Sequence, residues 1–399
     1  MRLYFSSIKI NESNDYIFEK MERFKRILLY FDWYDSRIHL GIVKVARHFN
    51  WSLFCLSNSN HTKFGPAYWY GDGAITLLGS EDSAELFRHL SIPVVDLGLR
   101  KHDLNIPRVV VDNQEVGRLA AEHFLERGFT NFYVPFHHDI PFYRERYEAF
   151  RRALKELAGY DCAFITDKEM DNRFLLSRPL AEWRAKLRRL RLPAAIYAYQ
   201  DSLAAEWVEL CLFLGLRIPE EVAVLGTDND RLICEALSCS VSSIETDLEG
   251  LGRRSAEVLH ELLEGRRALR QEFILHPPGA VVSRESTDTI TSPVPFIRDA
   301  LQLMHEDPWL NAAGVANRLG VSQQTLQNMF RKHFFRSPAQ TIRHIRLRRF
   351  KALLMMPDLP LSVIARRTGF SSVAAAYQFF KRETGQTPAQ FRQHSNPDG

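Results

Sequence analysis

At Pro295 the hydrophobic period of the chain changes, and this constrains the fold more than any other feature of its 399 residues. From Arg26 onward, short apolar runs alternate with amphipathic stretches: Arg26 to Phe31 then Leu40 to Phe49, Ala74 to Leu78 then Ser83 to Leu90, Val109 to Val111 then Val116 to Arg127. The alternation resumes with Phe132 to Pro135 and Tyr147 to Leu157, Ala194 to Ala198 and Leu203 to Leu214, Val222 to Gly226 and Leu251 to Leu263. Strand followed by helix, repeated this often, predicts parallel sheets covered by helices, and about 270 residues of it suggest two lobes. After Pro295 the strand pattern stops. Phe296, Ile297, Ala300, Leu301 and Met304 recur at i, i+3, i+4 spacing, the stripe of a helix. Between the two regimes lies the polar, β-branched run Ser286 to Pro295, closed by two prolines that cannot enter a helix interior. The expected division is residues 1–24 as an N-terminal extension, 25–287 as an α/β region, 288–295 as linker and 296–394 as an all-α domain.

Charge divides at the same place. Residues 296–399 hold 15 Lys and Arg against 6 Asp and Glu, a formal +9, and the preceding residues hold 37 against 42, a formal −5. A basic terminal module on a mildly acidic body is the electrostatic footprint of a nucleic-acid-binding domain joined to something else. With 45% hydrophobic and 25% charged residues, disorder, collagen and coiled-coil readings fall away. No apolar run approaches the roughly 20 residues of a membrane span, and Met1 to Phe24 lacks the apolar core of a signal peptide, so a cytoplasmic protein is expected. Five scattered cysteines without CxxC spacing point neither to a disulfide framework nor to a zinc site.

The basic segment contains the same pattern twice. Val315 to Phe330 and Val363 to Phe380 each place an Ala on a short helix, then a Gly, a hydrophobe, a Ser and a second amphipathic helix, which is a helix-turn-helix signature. Gly320 and Gly369 suit turns that need positive φ, and Ser322 and Ser371 are placed to cap the second helices. Between the blocks, Pro338 to Met356 reads as a connector helix carrying Arg343, Arg346, Arg348, Arg349 and Lys351. Its span of nearly 30 Å approaches the roughly 34 Å of one DNA turn, so the two second helices could enter successive major grooves. Arg343, Arg346 and Arg349 are candidate phosphate contacts.

The run Ile364-Ala365, Gly369-Phe370, Phe379-Phe380-Lys381, Gly385-Gln386-Thr387-Pro388 and Phe391-Arg392 resembles the signature of AraC/XylS-type transcription regulators from Phe296 to about His394. That resemblance implies a seven-helix domain that reads DNA with Gln323, Gln324, Gln327 and Asn328 on one helix and Val373, Ala374, Ala375 and Gln378 on the other. Gln and Asn can pair bidentately with adenine, and Val or Ala can pack on a thymine methyl. Many relatives carry Arg where Asn328 and Gln378 stand, which puts guanine contacts from those positions in question. Ala374 to Ala376 have simple helix propensity as an equal explanation.

In the first 295 residues, polar groups end the strands: Asp32, Trp33, Tyr34 and Asp35, then Asp112-Asn113, Gln200-Asp201 and Thr227-Asp228-Asn229-Asp230, with Arg146 where a helix should begin. Ligands of open α/β sheets bind beyond the carboxyl ends of strands. Carboxylates, amides, an Arg and aromatic rings suit a sugar, although any one of these aspartates could equally be a helix cap. Val111-Asp112-Asn113, Ala120 to Phe124, Gly128-Phe129, Val222 to Asn229, Ser243-Ile244 and Leu251-Gly252 resemble LacI/GalR-type sugar-sensing domains, relatives of periplasmic sugar-binding proteins. That resemblance implies a two-lobed periplasmic-binding-protein-like fold with Asp112, Arg146, Asp201, Asp228, Asn229 and Asp35 as sugar contacts. Thr246 stands where many relatives have Gln. A sensor of this kind preceding an AraC-type module is similar to the xylose operon regulators. It implies a D-xylose-dependent activator of a pentose catabolic operon, binding operator DNA as a homodimer and working with RNA polymerase.

No GxGxxG, P-loop, GxSxG or HExxH motif is present, so no cofactor or catalytic residue is expected. His137-His138-Asp139 is the best candidate for a metal or acid/base cluster, and adjacent strand residues point to opposite sides, which argues against a shared metal. A sugar-modifying enzyme fused to a DNA-binding domain is the alternative reading.

Overall fold

The computed structural model describes residues 24–57, 69–88, 90–98, 103–136, 140–166, 175, 179–354, 356 and 358–395. His137-His138-Asp139 and nearly all of the N-terminal extension lie outside them. Among the described residues no helix is long and apolar enough to cross a membrane. The chain divides into two units, one made of residues up to 109 with 252–274, the other of 110–251 with 275–399.

The first unit is organised on a six-stranded sheet whose order is β11-β5-β4-β3-β1-β2, formed by β1 (Lys25–Phe31), β2 (Trp51–Ser57), β3 (Gly73–Leu77), β4 (Val94–Asp96), β5 (Pro107–Val111) and β11 (Glu272–His276). β1 pairs in parallel with β2 and β3, and β3 with β4. Ile27 to Phe31 are all buried, the continuous apolar run that a parallel strand needs when helices cover both faces. Helices α1 (Ser36–His48) and α2 (Glu81–Phe87) follow β1 and β3. Asp35 caps α1, accepting the Arg37 N–H at 2.9 Å.

In the second unit, β6 (Asn131–Phe136), β7 (Cys162–Thr166), β8 (Ala194–Tyr197), β9 (Val222–Thr227), β10 (Ser242–Ile244) and β12 (Val281–Val282) form a sheet of order β12-β10-β9-β8-β6-β7. It is parallel except for β12 against β10. Helices α3 (Asn113–Glu126), α4 (Pro141–Ala158), α5 (Leu180–Leu187), α6 (Asp201–Phe213) and α7 (Arg231–Cys234) belong to it, and α8 (Leu248–Leu263) crosses to the first unit. The core holds Phe124, Phe150, Trp183, Tyr197 and Trp207, all essentially inaccessible. α3 and α4 approach so closely that a Cβ on Gly117 would lie 2.5 Å from the Ala149 Cβ and the Phe150 nitrogen. This contact sets Asn113, at the start of α3, beside Arg146 on α4.

Seven helices complete the unit: α9 (Pro295–Glu306), α10 (Ala312–Arg318), α11 (Gln323–His333), α12 (Pro338–Leu354), α13 (Leu361–Arg367), α14 (Val373–Thr384) and α15 (Pro388–Ser395). Pro295 stands at the first turn of α9, where its missing N–H costs nothing. There are two small cores. Ile297, Leu301, Met304, Leu326 and Phe330 gather with Ile342 and Ile345, and Phe350 and Leu354 gather with Ile364, Ala376 and Phe380. α12 contributes to both, so this 17-residue helix, ~25 Å long, is the shared beam of the two helix-turn-helix blocks.

Two expectations need correction. α14 is capped by Ser372, whose hydroxyl accepts the Ala375 N–H at 3.1 Å, and not by Ser371, because the helix starts one residue later than the repeat suggests. Ser322 caps α11 as expected, accepting the Thr325 N–H at 3.0 Å. Arg346 and Arg349 are not open to phosphate. The Arg346 guanidinium donates to the carbonyls of Pro308 at 3.0 Å and Leu310 at 3.3 Å, and Arg349 donates to that of His305 at 2.9 Å. They bind the ends of α9 and α10 to the beam, leaving Arg343 as the exposed cation of this helix.

The two turn glycines differ in a testable way. Gly320 has φ 67° with open space where a Cβ would go, whereas at Gly369, φ 79°, a Cβ would sit 1.9 Å from the Pro308 carbonyl oxygen. Gly320→Ala should therefore cost only the left-handed penalty, about 1 to 2 kcal/mol. Gly369→Ala adds a main-chain clash between two interhelical turns and should cost about 3 kcal/mol or more. Urea denaturation followed by helical circular dichroism measures both; equal losses would contradict this packing.

Candidate functional site

The strand ends of the second unit converge on one buried cation. Arg146 on α4 is 4% exposed, and each guanidinium nitrogen has a partner. Its Nε donates to Asn113 Oδ1 at 3.0 Å, one terminal nitrogen to the Tyr199 carbonyl beyond β8, and the other to Asp228 Oδ1 at 3.0 Å beyond β9. Thr246 adds its hydroxyl to the same Asp228 oxygen at 3.1 Å. Burial disfavours the Arg146 charge, but Asp228 and neighbouring tyrosines outweigh it and hold the group above its ordinary range, so the cation persists.

Around this pair stand aromatic rings and further polar groups. Tyr143 stacks on Tyr199 with centroids 5.2 Å apart, Phe142 lies 5.6 Å from the Arg146 guanidinium, and the Tyr143 hydroxyl donates to Gln200. Asp228 and Asn229 have φ of 97° and 47°, a left-handed pair that non-glycine residues adopt where surrounding structure holds them. Strain of this kind gathers at ligand sites.

The six residues assigned to sugar contact from the sequence separate by geometry. Arg146 and Asp228 meet. Asp112 caps α3, accepting the N–H groups of Gln114 and Glu115 at 3.1 Å. Asp201 is a strut under the β9 loop: one carboxylate oxygen accepts the Asp230 N–H at 2.6 Å and the other the Ser243 hydroxyl at 2.5 Å. Burial, reinforced by the Asp228 charge, pushes its pKa up to about 7. Asn229 gives its amide N–H to Glu245 at 2.8 Å and accepts from Arg284 at 2.9 Å, so its side chain serves the loop. Asp35 belongs to the first unit, where it caps α1 and pairs with Arg37 at 2.7 Å. In that unit Asp32, ending β1, accepts the Gly79 N–H at 2.6 Å and the Ser83 hydroxyl, with Trp33 and Tyr34 exposed beside it.

Sequence reasoning left Asn113, Tyr143 and Tyr199 unassigned. Asn113 had a signal, lying next to Asp112 at a strand end, but only the closeness of α3 and α4 at Gly117 reveals its partner.

On the helical module the expected reading faces are exposed. Gln323, Gln324, Gln327 and Asn328 project from α11 while Leu326 and Phe330 are buried, and Val373, Ala374, Ala375 and Gln378 are exposed on α14 above buried Ala376 and Phe380. Asn328 Oδ1 accepts from Gln324 at 3.1 Å and Arg331 at 3.0 Å, which orients its amide. Asn311, Arg343, Gln378 and Arg382 help line a groove of about 390 Å³.

Comparison with known proteins places these features. A periplasmic binding protein-like domain matches residues 121–287, and a helix-turn-helix domain matches residues 315–394. The chain is 28% identical over 334 residues to the xylose operon regulatory protein of Haemophilus influenzae, covering 80% of this chain and 84% of that protein. It is 24% identical over 377 residues to the protein of the same name from Escherichia coli K12, covering 90% and 94%. A solved structure described as the xylose-binding transcription activator XylR shares the fold, with a TM-score of 0.58 at 22% identity over 93% of this chain and 98% of that one. These relatives are transcription regulators, and nothing in them supports the enzyme reading. The chain is a sugar-responsive, DNA-binding transcription regulator in which a periplasmic binding protein-like domain precedes a helix-turn-helix domain, and it is similar over most of its length to xylose operon regulatory proteins.

Proposed function

We propose that this chain activates a pentose catabolic operon in response to D-xylose, acting in the cytoplasm as a homodimer that binds operator DNA and engages RNA polymerase. Residues 25–287 form the sensor, 288–295 the linker and 296–394 the operator-reading domain. The observation that carries this reading is the Arg146, Asp228 and Asn113 group at the strand ends, in one chain with two exposed recognition helices. A fixed guanidinium and carboxylate offer directed donors and acceptors to vicinal hydroxyls, while tyrosine rings provide apolar faces for sugar C–H groups. Arg146 and Asp228 are the direct sugar contacts, Asp201 and Asn229 set their loop, and Asp112 fixes Asn113 through its cap. D-xylose is chosen because the relatives covering most of the chain are xylose operon regulatory proteins. Gln323, Gln324, Gln327, Asn328, Val373, Ala374 and Gln378 read the operator.

Titration calorimetry with D-xylose, L-arabinose and D-ribose tests the sensor. Asp228→Ala leaves Arg146 buried without its carboxylate and should weaken binding of the preferred pentose by about 100-fold or more, with operator affinity in the absence of sugar retained. Undiminished sugar binding by this variant would remove Asp228 from the site.

Operator selection tests the reading face. A bidentate amide contact contributes about 1 to 3 kcal/mol of base discrimination, so Gln324→Ala and Gln327→Ala should each alter the preferred sequence. Arg343→Ala should instead weaken all sequences alike and lower the salt slope by about one. Arg346→Ala should lower the module's melting temperature, since its guanidinium holds the Pro308 and Leu310 carbonyls. Selection of the wild-type sequence by both glutamine variants would refute readout by α11.

A further inference from the structure

The far end of α3 holds a second buried charge cluster, which sugar contact does not require. Glu122 and Glu126, 3% and 0% exposed, lie one turn apart. Facing them from the helical module are Arg336, in the turn between α11 and α12, and His344 and Arg348 on α12. Arg336 donates to Glu122 at 2.6 Å and to Glu126 at 2.7 Å, and Arg348 donates to the other Glu126 oxygen. His344 Nε2 lies 2.9 Å from Glu126 and 3.3 Å from Glu122 as a close ionic contact. These pairs span more than 200 residues of sequence. Phe335, against which the Arg336 guanidinium rests at 4.6 Å, packs on the sensor core beside them.

The same end of α3 grips the linker. Arg127 donates to the Thr287 carbonyl at 2.8 Å, and its own carbonyl accepts the Thr291 N–H at 2.7 Å. His123 Nδ1 faces guanidinium nitrogens of Arg348 at 2.7 Å and Arg127 at 3.2 Å, which can only donate. Its proton therefore sits on Nε2, 2.8 Å from the Thr287 hydroxyl. Gly128 completes the seam, because a Cβ there would meet the Thr291 carbonyl oxygen at 1.6 Å.

α3 thus joins two places. Its first residue, Asn113, holds Arg146, and its last turn, about 20 Å away, holds the first helix-turn-helix block and the linker. Along its outer stripe Arg118 pairs with both Glu115 and Glu122, extending the charges toward the cap at Asp112. An apolar interface would attach the module at least as firmly, since buried ion pairs add little stability over well-packed hydrophobic groups. What directional charges paired across the seam add is a single register. We propose that the Glu122 and Glu126 cluster with Arg336, His344 and Arg348 is the joint that fixes the orientation of the first helix-turn-helix block against the sensor, and that α3 couples occupancy of the sugar site to operator affinity through it. The coupling part rests on the sugar response proposed above.

The test uses the full chain with both glutamates replaced, Glu122→Gln/Glu126→Gln, neither being in the sugar or operator contacts. Hydrogen exchange without sugar reads the joint itself. Peptides covering residues 122–127 and 336–348 should exchange faster than in the parent protein, while those of α11 and of β8 and β9 stay unchanged. Operator affinity with and without saturating D-xylose reads the coupling. The sugar-dependent ratio should fall about tenfold or to near one, while sugar affinity measured by calorimetry without DNA stays within about threefold. Should the double variant fail to fold, Arg336→Met carries the same measurements, with Arg336→Lys expected to restore part of the ratio. Unchanged exchange at the two segments overturns the joint, and an unchanged ratio overturns the coupling. If no pentose alters operator affinity in the parent protein, the proposed sugar response and the coupling fall together, and exchange alone decides the joint.

Discussion

A guanidinium in the interior needs acceptors, and Arg146 finds one for each of its three nitrogens. Leaving such a group unpaired costs several kcal/mol, so the elements that supply its acceptors are held in fixed relation. Those elements are the start of α3, through Asn113, the end of β8, through Tyr199, and the loop after β9, through Asp228. The chain makes this possible with one small residue: Gly117 lets α3 come close enough to α4 for Asn113 and Arg146 to meet. Behind them, Asp201 ties the backbone of Asp230 to Ser243 and supports the left-handed turn that presents Asp228.

The same economy governs the other end of α3. One face of this helix is apolar and packs on the sheet through Val116, Ala120 and Phe124, while its outer stripe carries Glu115, Arg118, Glu122 and Glu126. For Glu126, burial pulls the carboxyl upward, but Arg348, His344 and Arg336 outweigh it and hold the group well below the usual carboxylate range. His123, by contrast, is kept neutral by burial and by the guanidiniums of Arg127 and Arg348, so it acts as an acceptor for them. A helix that is hydrophobic toward its sheet and ionic toward the module can serve two domains without exposing an apolar patch.

Within the helical module, several arginines do structural work, among them two of the three candidate phosphate contacts. Arg346 and Arg349 bind carbonyls at the ends of α9 and α10, Arg392 binds those of Leu354 and Leu359, and Arg348 turns to Glu126. The formal +9 of this segment therefore overstates the charge available to phosphate. Over the first turns of α11 and α14 the exposed side chains are amide and small apolar, a surface suited to reading base edges, and Arg331, Lys332, Lys381 and Arg382 are exposed in their last turns.

Periodicity was enough to determine the class of each region. Apolar runs alternating with amphipathic helices define parallel sheets, and the repeated Ala, Gly, Ser spacing defines two helix-turn-helix blocks, because both signals are local and set by backbone geometry. The exposed side of α11 was legible for the same reason: Leu326 and Phe330, four residues apart, fix which side is buried and so which side carries Gln324 and Gln327. The candidate site was legible only in part. Aspartates at strand ends look alike in sequence whether they cap a helix, as Asp35 and Asp112 do, brace a loop, as Asp201 does, or meet a buried cation, as Asp228 does. The outcome depends on which groups arrive from elsewhere in the chain. Tertiary structure decided those partners, bringing Arg146 to Asp228 across 82 residues and Arg348 to Glu126 across 222. A one-dimensional pattern records how often a residue faces inward, whereas the pairing of buried charges depends on distances that exist only after the sheets and helices have packed.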